Sequence, residues 1–188
     1  FLPAYAPYAA RLRALANARD AIPGLARLSE RIAGLAAARP LPAWARAPWR
    51  DDEASLADPD VILFADTFNR WFEPENLRDA ARVLRAGGFR LAAAAAADGG
   101  RPLCCGRTYL AAGLVDRARA EARRSLAVLA PHGRAGRPIV GLEPSCLLTL
   151  RDEWLALGLG ETARLVADRA LLFEEFVDHN AARITAAL

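Results

Sequence analysis

The pattern of apolar and polar positions changes character at residue 61. Residues 3–38 place apolar side chains at helical spacing, Leu12, Leu15 and Ala16 first, then Leu25, Leu28, Ile32 and Leu35, with a break at Ile22-Pro23-Gly24. That spacing predicts two helices. Between Arg39 and Asp60, Pro40, Pro42, Pro48 and Pro59 exclude a long regular element. This stretch reads as a linker lying on the domain surface, anchored by Trp44 and Trp49.

From Val61 onward, strand and helix patterns alternate. The wholly apolar run from Val61 to Ala65 follows an Asp-Pro turn and suits a strand buried on both faces. Pro74 opens a helix whose apolar positions Leu77, Ala80, Ala81 and Leu84 lie on one face, closed by Gly87-Gly88. Phe89 to about Ala95 reads as a second strand, although alanine is a weak strand former. A loop with Gly99, Gly100 and Pro102 leads to Cys104-Cys105, and a long helix then runs to Ala130 before Pro131. Pro138 to Leu142 is the third predicted strand, and helices are expected to fill most of Ser145 to Leu188. The result is a βαβαβ unit: a Rossmann-like α/β fold with a parallel sheet of three or more strands, residues 59–188, preceded by a helical arm and linker, residues 1–58.

Right-handed crossovers make such strands parallel, and ligands of open parallel sheets gather at the carboxyl ends of the strands. Asp66-Thr67, Cys104-Cys105 and the segment Glu143 to Cys146 each follow one predicted strand. Topology alone therefore brings them to one rim.

All three cysteines of the chain lie in two of these segments. Neighbouring cysteines pair poorly with each other because a vicinal disulfide strains the peptide between them, but they can offer two sulfurs to one metal or cluster. Cys104 and Cys105 precede one helix and Cys146 opens another, so backbone N–H groups are expected to favour the thiolate, the form that binds metal. The competing reading is three small buried hydrophobes. Gly106 reads as a tight turn allowing close approach, and Asp66 as a helix cap. Glu143 could add an oxygen to Cys104, Cys105 and Cys146 in a four-ligand zinc set. His132, in a Pro-His-Gly turn, and His179 are expected to be solvated. No phosphate-binding, serine-hydrolase or His-Glu-x-x-His motif is present.

Composition narrows the reading further. The chain has 188 residues, 25 basic and 22 acidic, and every basic residue is arginine. Arg119, Arg123 and Arg124 alternate with Glu121 on what reads as a solvated helix face, and aromatic residues are not interleaved with the arginines as a nucleic-acid platform requires. No apolar run of about 18 residues and no secretion signal occurs. The expectation is a soluble cytoplasmic protein without nucleic-acid partners. With Phe first and no Met, the chain reads as part of a longer one.

The stretches Val61-Ile-Leu-Phe-Ala-Asp-Thr-Phe-Asn-Arg-Trp-Phe-Glu-Pro-Glu-Asn76, Arg101-Pro-Leu-Cys-Cys-Gly-Arg-Thr108 and Gly141-Leu-Glu-Pro-Ser-Cys-Leu-Leu-Thr-Leu-Arg-Asp-Glu153 resemble the cysteine-rich CCG module. That module occurs in heterodisulfide reductase, in the iron-sulfur component of glycolate oxidase, and in fused FAD-linked D-2-hydroxyacid dehydrogenases. Its pattern is a cysteine, a long spacer, Cys-Cys-Gly, a second long spacer and Cys-x-x-Cys. Thr67 and Glu143 stand where the pattern places its first cysteine and the first of its closing Cys-x-x-Cys pair, 37 residues before Cys104 and 37 after Gly106. The resemblance implies an oxidoreductase module with an iron-sulfur cluster, of the 4Fe-4S type, held by Cys104, Cys105 and Cys146, with Gly106, Thr67 and Glu143 lining it. It also implies partner domains: a flavin domain that binds the FAD, a ferredoxin-like domain and a second CCG module. None of those partner motifs occurs in this sequence, so catalysis would be completed elsewhere.

Overall fold

The computed structural model describes residues 2–96 and 99–187. Four parallel strands form one sheet in the order β2-β1-β3-β4: β1 is Val61–Leu63, β2 Leu91–Ala93, β3 Ile139–Gly141 and β4 Ala170–Leu172. The α/β class and the three expected strands are present. The fourth strand lies where the sequence predicts helix, because Ala170-Leu171-Leu172 is a three-residue apolar run that carries no periodicity of its own.

Side chains alternate strictly across the sheet. Ile62 and Phe64 pack into one core with Ile139 and Leu147, whereas Val61, Leu63 and Ala65 pack into the opposite core with Val140 and Leu84. Both faces are covered, as a parallel sheet requires.

The connecting helices are α4 Thr67–Trp71, α5 Pro74–Ala86, α6 Arg107–Ala111, α7 Val115–Arg134, α8 Pro144–Arg151, α9 Glu153–Ala156, α10 Glu161–Ala167, α11 Phe173–His179 and α12 Ala181–Thr185. The long helix expected after the cysteines is broken into α6 and α7 at Gly113, which has φ +71°. Pro131 does not stop α7; it sits in the last turn, and the helix continues to Arg134. A proline there removes one hydrogen bond near an end that frays in any case.

The face of α7 that reads as solvated is partly buried. Glu121 is 7 % exposed and pairs with both Arg101 and Arg124, while Arg124 also donates to the Arg101 carbonyl at 2.6 Å. This network fastens the loop leading to the cysteine pair onto α7.

The arm contains three helices, α1 Leu2–Arg11, α2 Arg13–Ala21 and α3 Leu25–Ala33, because the first predicted helix breaks at Leu12. The tryptophans anchor the linker as expected. Trp49 is 3 % exposed, and Trp44 lies 4.6 Å from Phe72 and 6.3 Å from Tyr5, centroid to centroid. Buried Arg70 of α4 clamps the same segment, donating to Asp51 at 2.6 Å and to the Trp49 carbonyl at 3.2 Å. The end of the linker then covers the sheet edge: Ser55 bridges Ala92 antiparallel, and Ala93 donates to the Ala54 carbonyl at 2.6 Å.

Candidate functional site

The strand order reverses between β1 and β3, so the carboxyl ends of these two strands flank the topological switch point. The loop after β1 carries Asp66 and Thr67, and the loop after β3 carries Glu143 to Cys146. The longer loop after β2 brings Cys104 and Cys105 to the same rim.

Asp66 is the cap expected of it. Its Oδ1 accepts from the backbone N–H groups of Phe68 and Asn69, both at 2.9 Å, and Oδ2 accepts from the Asn69 amide at 2.7 Å. These bonds start α4 and fix Thr67 facing the sulfurs. Burial pushes the Asp66 carboxyl above its ordinary range despite the three donors.

The three cysteines meet as one hydrogen-bonded series, each no more than 3 % exposed. Thr67 interacts with Cys104, Cys104 with Cys105, and Cys105 with Cys146. Backbone N–H groups at the start of α6 also reach the sulfurs, Gly106 to Cys104 at 3.3 Å and Arg107 to Cys105 at 3.4 Å. The helix start expected to favour thiolates is therefore in place, yet the thiols are protonated. The hydrogen bond to Cys105, then burial, pushes the Cys104 thiol well up. Cys105 is lowered by the bond from Cys104, but its own bond to Cys146 and its burial leave it well above the ordinary range. The interaction with Cys105 lowers Cys146, but burial and the negative charge of Asp66, Cys104 and Glu143 outweigh that effect. Desolvation and neighbouring negative charge defeat the helix dipole.

Two residues outside every motif hold this arrangement. Ser125 of α7 donates to the Cys104 carbonyl at 2.9 Å, and the Trp154 indole of α9 donates to the Cys105 carbonyl at 2.8 Å; both side chains are fully buried. Nothing local marks them, since they sit 21 and 49 residues from their partners.

Gly106 has φ +90° and caps α6, and a Cβ there would stand 3.0 Å from the Ala118 carbonyl oxygen. The close approach this glycine permits is to the backbone of α7. Gly106→Ala should cost about 2 kcal/mol, from left-handed backbone strain and displacement of α7, measured by urea unfolding. Wild-type stability in that variant would show that the turn relaxes freely.

Glu143 points its Oε1 to Ser145, accepting from the hydroxyl at 2.7 Å and the backbone N–H at 3.3 Å, and so caps α8. It makes no contact with a sulfur among these bonds. His132 lies in the last turn of α7 with Nδ1 3.3 Å from Arg137; burial, then the arginine charge, lowers its pKa. His179 is exposed at the end of α11.

The donor set falls short of the implied metal groups. Three thiols are present, the Thr67 hydroxyl is spent on Cys104, and Glu143 is spent on Ser145. Among the described residues no group of three or more His, Cys, Asp or Glu side chains is arranged to hold a metal ion. These residues do not by themselves fit a closed metal or cluster site, for which four ligands are usual. No family model, curated protein or solved structure matches this chain. Among the described residues no helix is long and apolar enough to cross a membrane.

Proposed function

We propose that this chain is a CCG-type module of an iron-sulfur flavoprotein that oxidises a 2-hydroxyacid, and that its three sulfurs are part of a ligand set completed by donors from another module. The observation that supports this reading is the meeting of Cys104, Cys105 and Cys146 at the carboxyl rim of the sheet, from loops distant in sequence. In that setting the three thiolates would supply part of a soft-ligand set, with FAD held by a separate domain and the whole enzyme cytoplasmic. The residues of this chain supply position: Thr67 and the N–H groups of Gly106 and Arg107 orient the sulfurs, and Trp154 and Ser125 hold the peptides that carry them.

A second reading draws on the protonated, internally bonded state of the thiols. In it the module is a non-redox scaffold between flavin and ferredoxin domains, and its cysteines are core. Anaerobic reconstitution with iron and sulfide separates the two. Thr67→Cys with Glu143→Cys restores the two thiols that the resemblance implies, and this double variant should bind several-fold more iron than wild type and absorb broadly in the visible. A colourless, iron-free double variant would favour the scaffold.

A further inference from the structure

Among the described residues, nine of the thirteen large apolar side chains that stay exposed fall within the first 41 positions. Tyr8 on α1, Leu12 at the break and Leu15 on α2 are exposed, as are Leu28 and Ile32 at i, i+4 spacing on α3 and Leu35 just beyond it. Helix α3 buries none of its residues, and Ile32 is 77 % exposed. Exposed apolar surface on this scale marks a contact site. The arm's other side is tied down: Asn17 exchanges two hydrogen bonds with the Trp44 backbone, and Arg19 bonds to Ser29 and to the Leu35 and Ala36 carbonyls. The exposed apolar side chains are therefore held outward by a fixed scaffold.

The arm is also where the positive charge lies. Residues 1–41 contain six arginines and two carboxylates, a net +4, whereas the whole chain is +3, so residues 42–188 carry −1. Arg11, Arg27 and Arg31 flank these apolar positions, and among the described residues none of them is in an ion pair.

A surface of opposite character lies beside the arm. Two cavities of about 350 Å³ each share Asn69, Glu73 and Glu143 and so form one groove. Phe68, Phe72 and Phe173 line it, Asp79 and Glu174 extend its acidic edge, and no basic residue lines it. Pro42 of the linker forms part of its wall, so arm and groove adjoin within one chain.

We propose that the arm is covered by a second copy of this chain, the arginine-flanked apolar side chains of each copy lying on the acidic, phenylalanine-lined groove of the other. Charge and apolar character match across the contact. Because arm and groove adjoin, a single two-fold axis satisfies both contacts at once and closes the assembly at a dimer. The inference does not depend on what the cysteines bind.

Sedimentation of the 188-residue chain over roughly a hundredfold range of concentration tests it. The mass should rise from 20.2 kDa toward twice that value. Leu15→Asp with Ile32→Asp should weaken the dimer at least about tenfold, with circular dichroism confirming the fold. Arg27→Glu with Arg31→Glu should weaken it less, and more so at low salt. Adding Asp79→Arg with Glu174→Arg to that charge-reversed arm should recover affinity, whereas the groove changes alone should lose it. A one-chain mass at every concentration would overturn the proposal, as would a dimer indifferent to the arm and groove variants. Flotation of a monomer on phosphatidylglycerol vesicles, abolished by Leu15→Asp with Ile32→Asp, would assign the face to lipid and also overturn it.

Discussion

Raising the pH from about 8 to about 10 should destabilise the fold through Cys104 and Cys105. Both thiols are pushed well above their ordinary value of 9.0 in the folded protein. A raised folded pKa contributes stability that is complete below the unfolded value and is lost as pH climbs toward the folded one. Over this window the unfolded chain releases its thiol protons while the folded chain holds them more tightly, so stability falls as the pH rises. Cys146 adds to the loss in the same direction. The chain has no lysine, so among side chains only the cysteines and three tyrosines titrate strongly here. Denaturant unfolding of wild type and of the triple Cys→Ser variant at both pH values isolates the thiol part, since the tyrosine contribution cancels. Equal alkaline losses in the two proteins would show that the thiols already ionise in the fold.

The second large effect belongs to Trp154, the largest fully buried side chain. Trp154→Ala should cost about 4 kcal/mol, because it opens a cavity in the core against the cysteine loop and strips the Cys105 carbonyl of its donor. Trp154→Phe keeps most of the volume and loses mainly the 2.8 Å indole bond, so about 2 kcal/mol is expected. The phenylalanine variant should also loosen the thiol series, read as faster alkylation of the cysteines by iodoacetamide under native conditions. A full loss from Trp154→Phe, as large as from alanine, would place the whole effect in shape and none in the hydrogen bond.

What can be read from the sequence depends on local pattern. Strands β1 and β3 are short β-branched and leucine runs bounded by proline or aspartate, and both are legible; β4 is not, because Ala170-Leu171-Leu172 lies between helices without any glycine or proline to set it off. Strand-end convergence follows from topology, which is why Thr67, Cys104, Cys105 and Cys146 can be placed together. Their ionisation cannot be read the same way. The N–H donors of Gly106 and Arg107 are visible as a helix start, but the burial that overrules them comes from α7 and α9 packing over the loop. Glu121 misleads for a related reason: its two arginine partners allow a carboxylate inside a face that its neighbours make look wet.

The ligand reading and the core reading divide most sharply at Cys105, the middle of the sulfur series. Cys105→Ser keeps size and hydrogen bonding nearly unchanged but removes a soft ligand. The decisive measurement is metal content after anaerobic reconstitution, taken alongside unfolding of the metal-free protein, for wild type and Cys105→Ser in the presence of the completing flavoprotein domains. The account predicts iron in wild type, several-fold less in the variant, and metal-free stabilities within about 1 kcal/mol of each other. No metal in either protein, with a large fall in metal-free stability for Cys105→Ser, would contradict it.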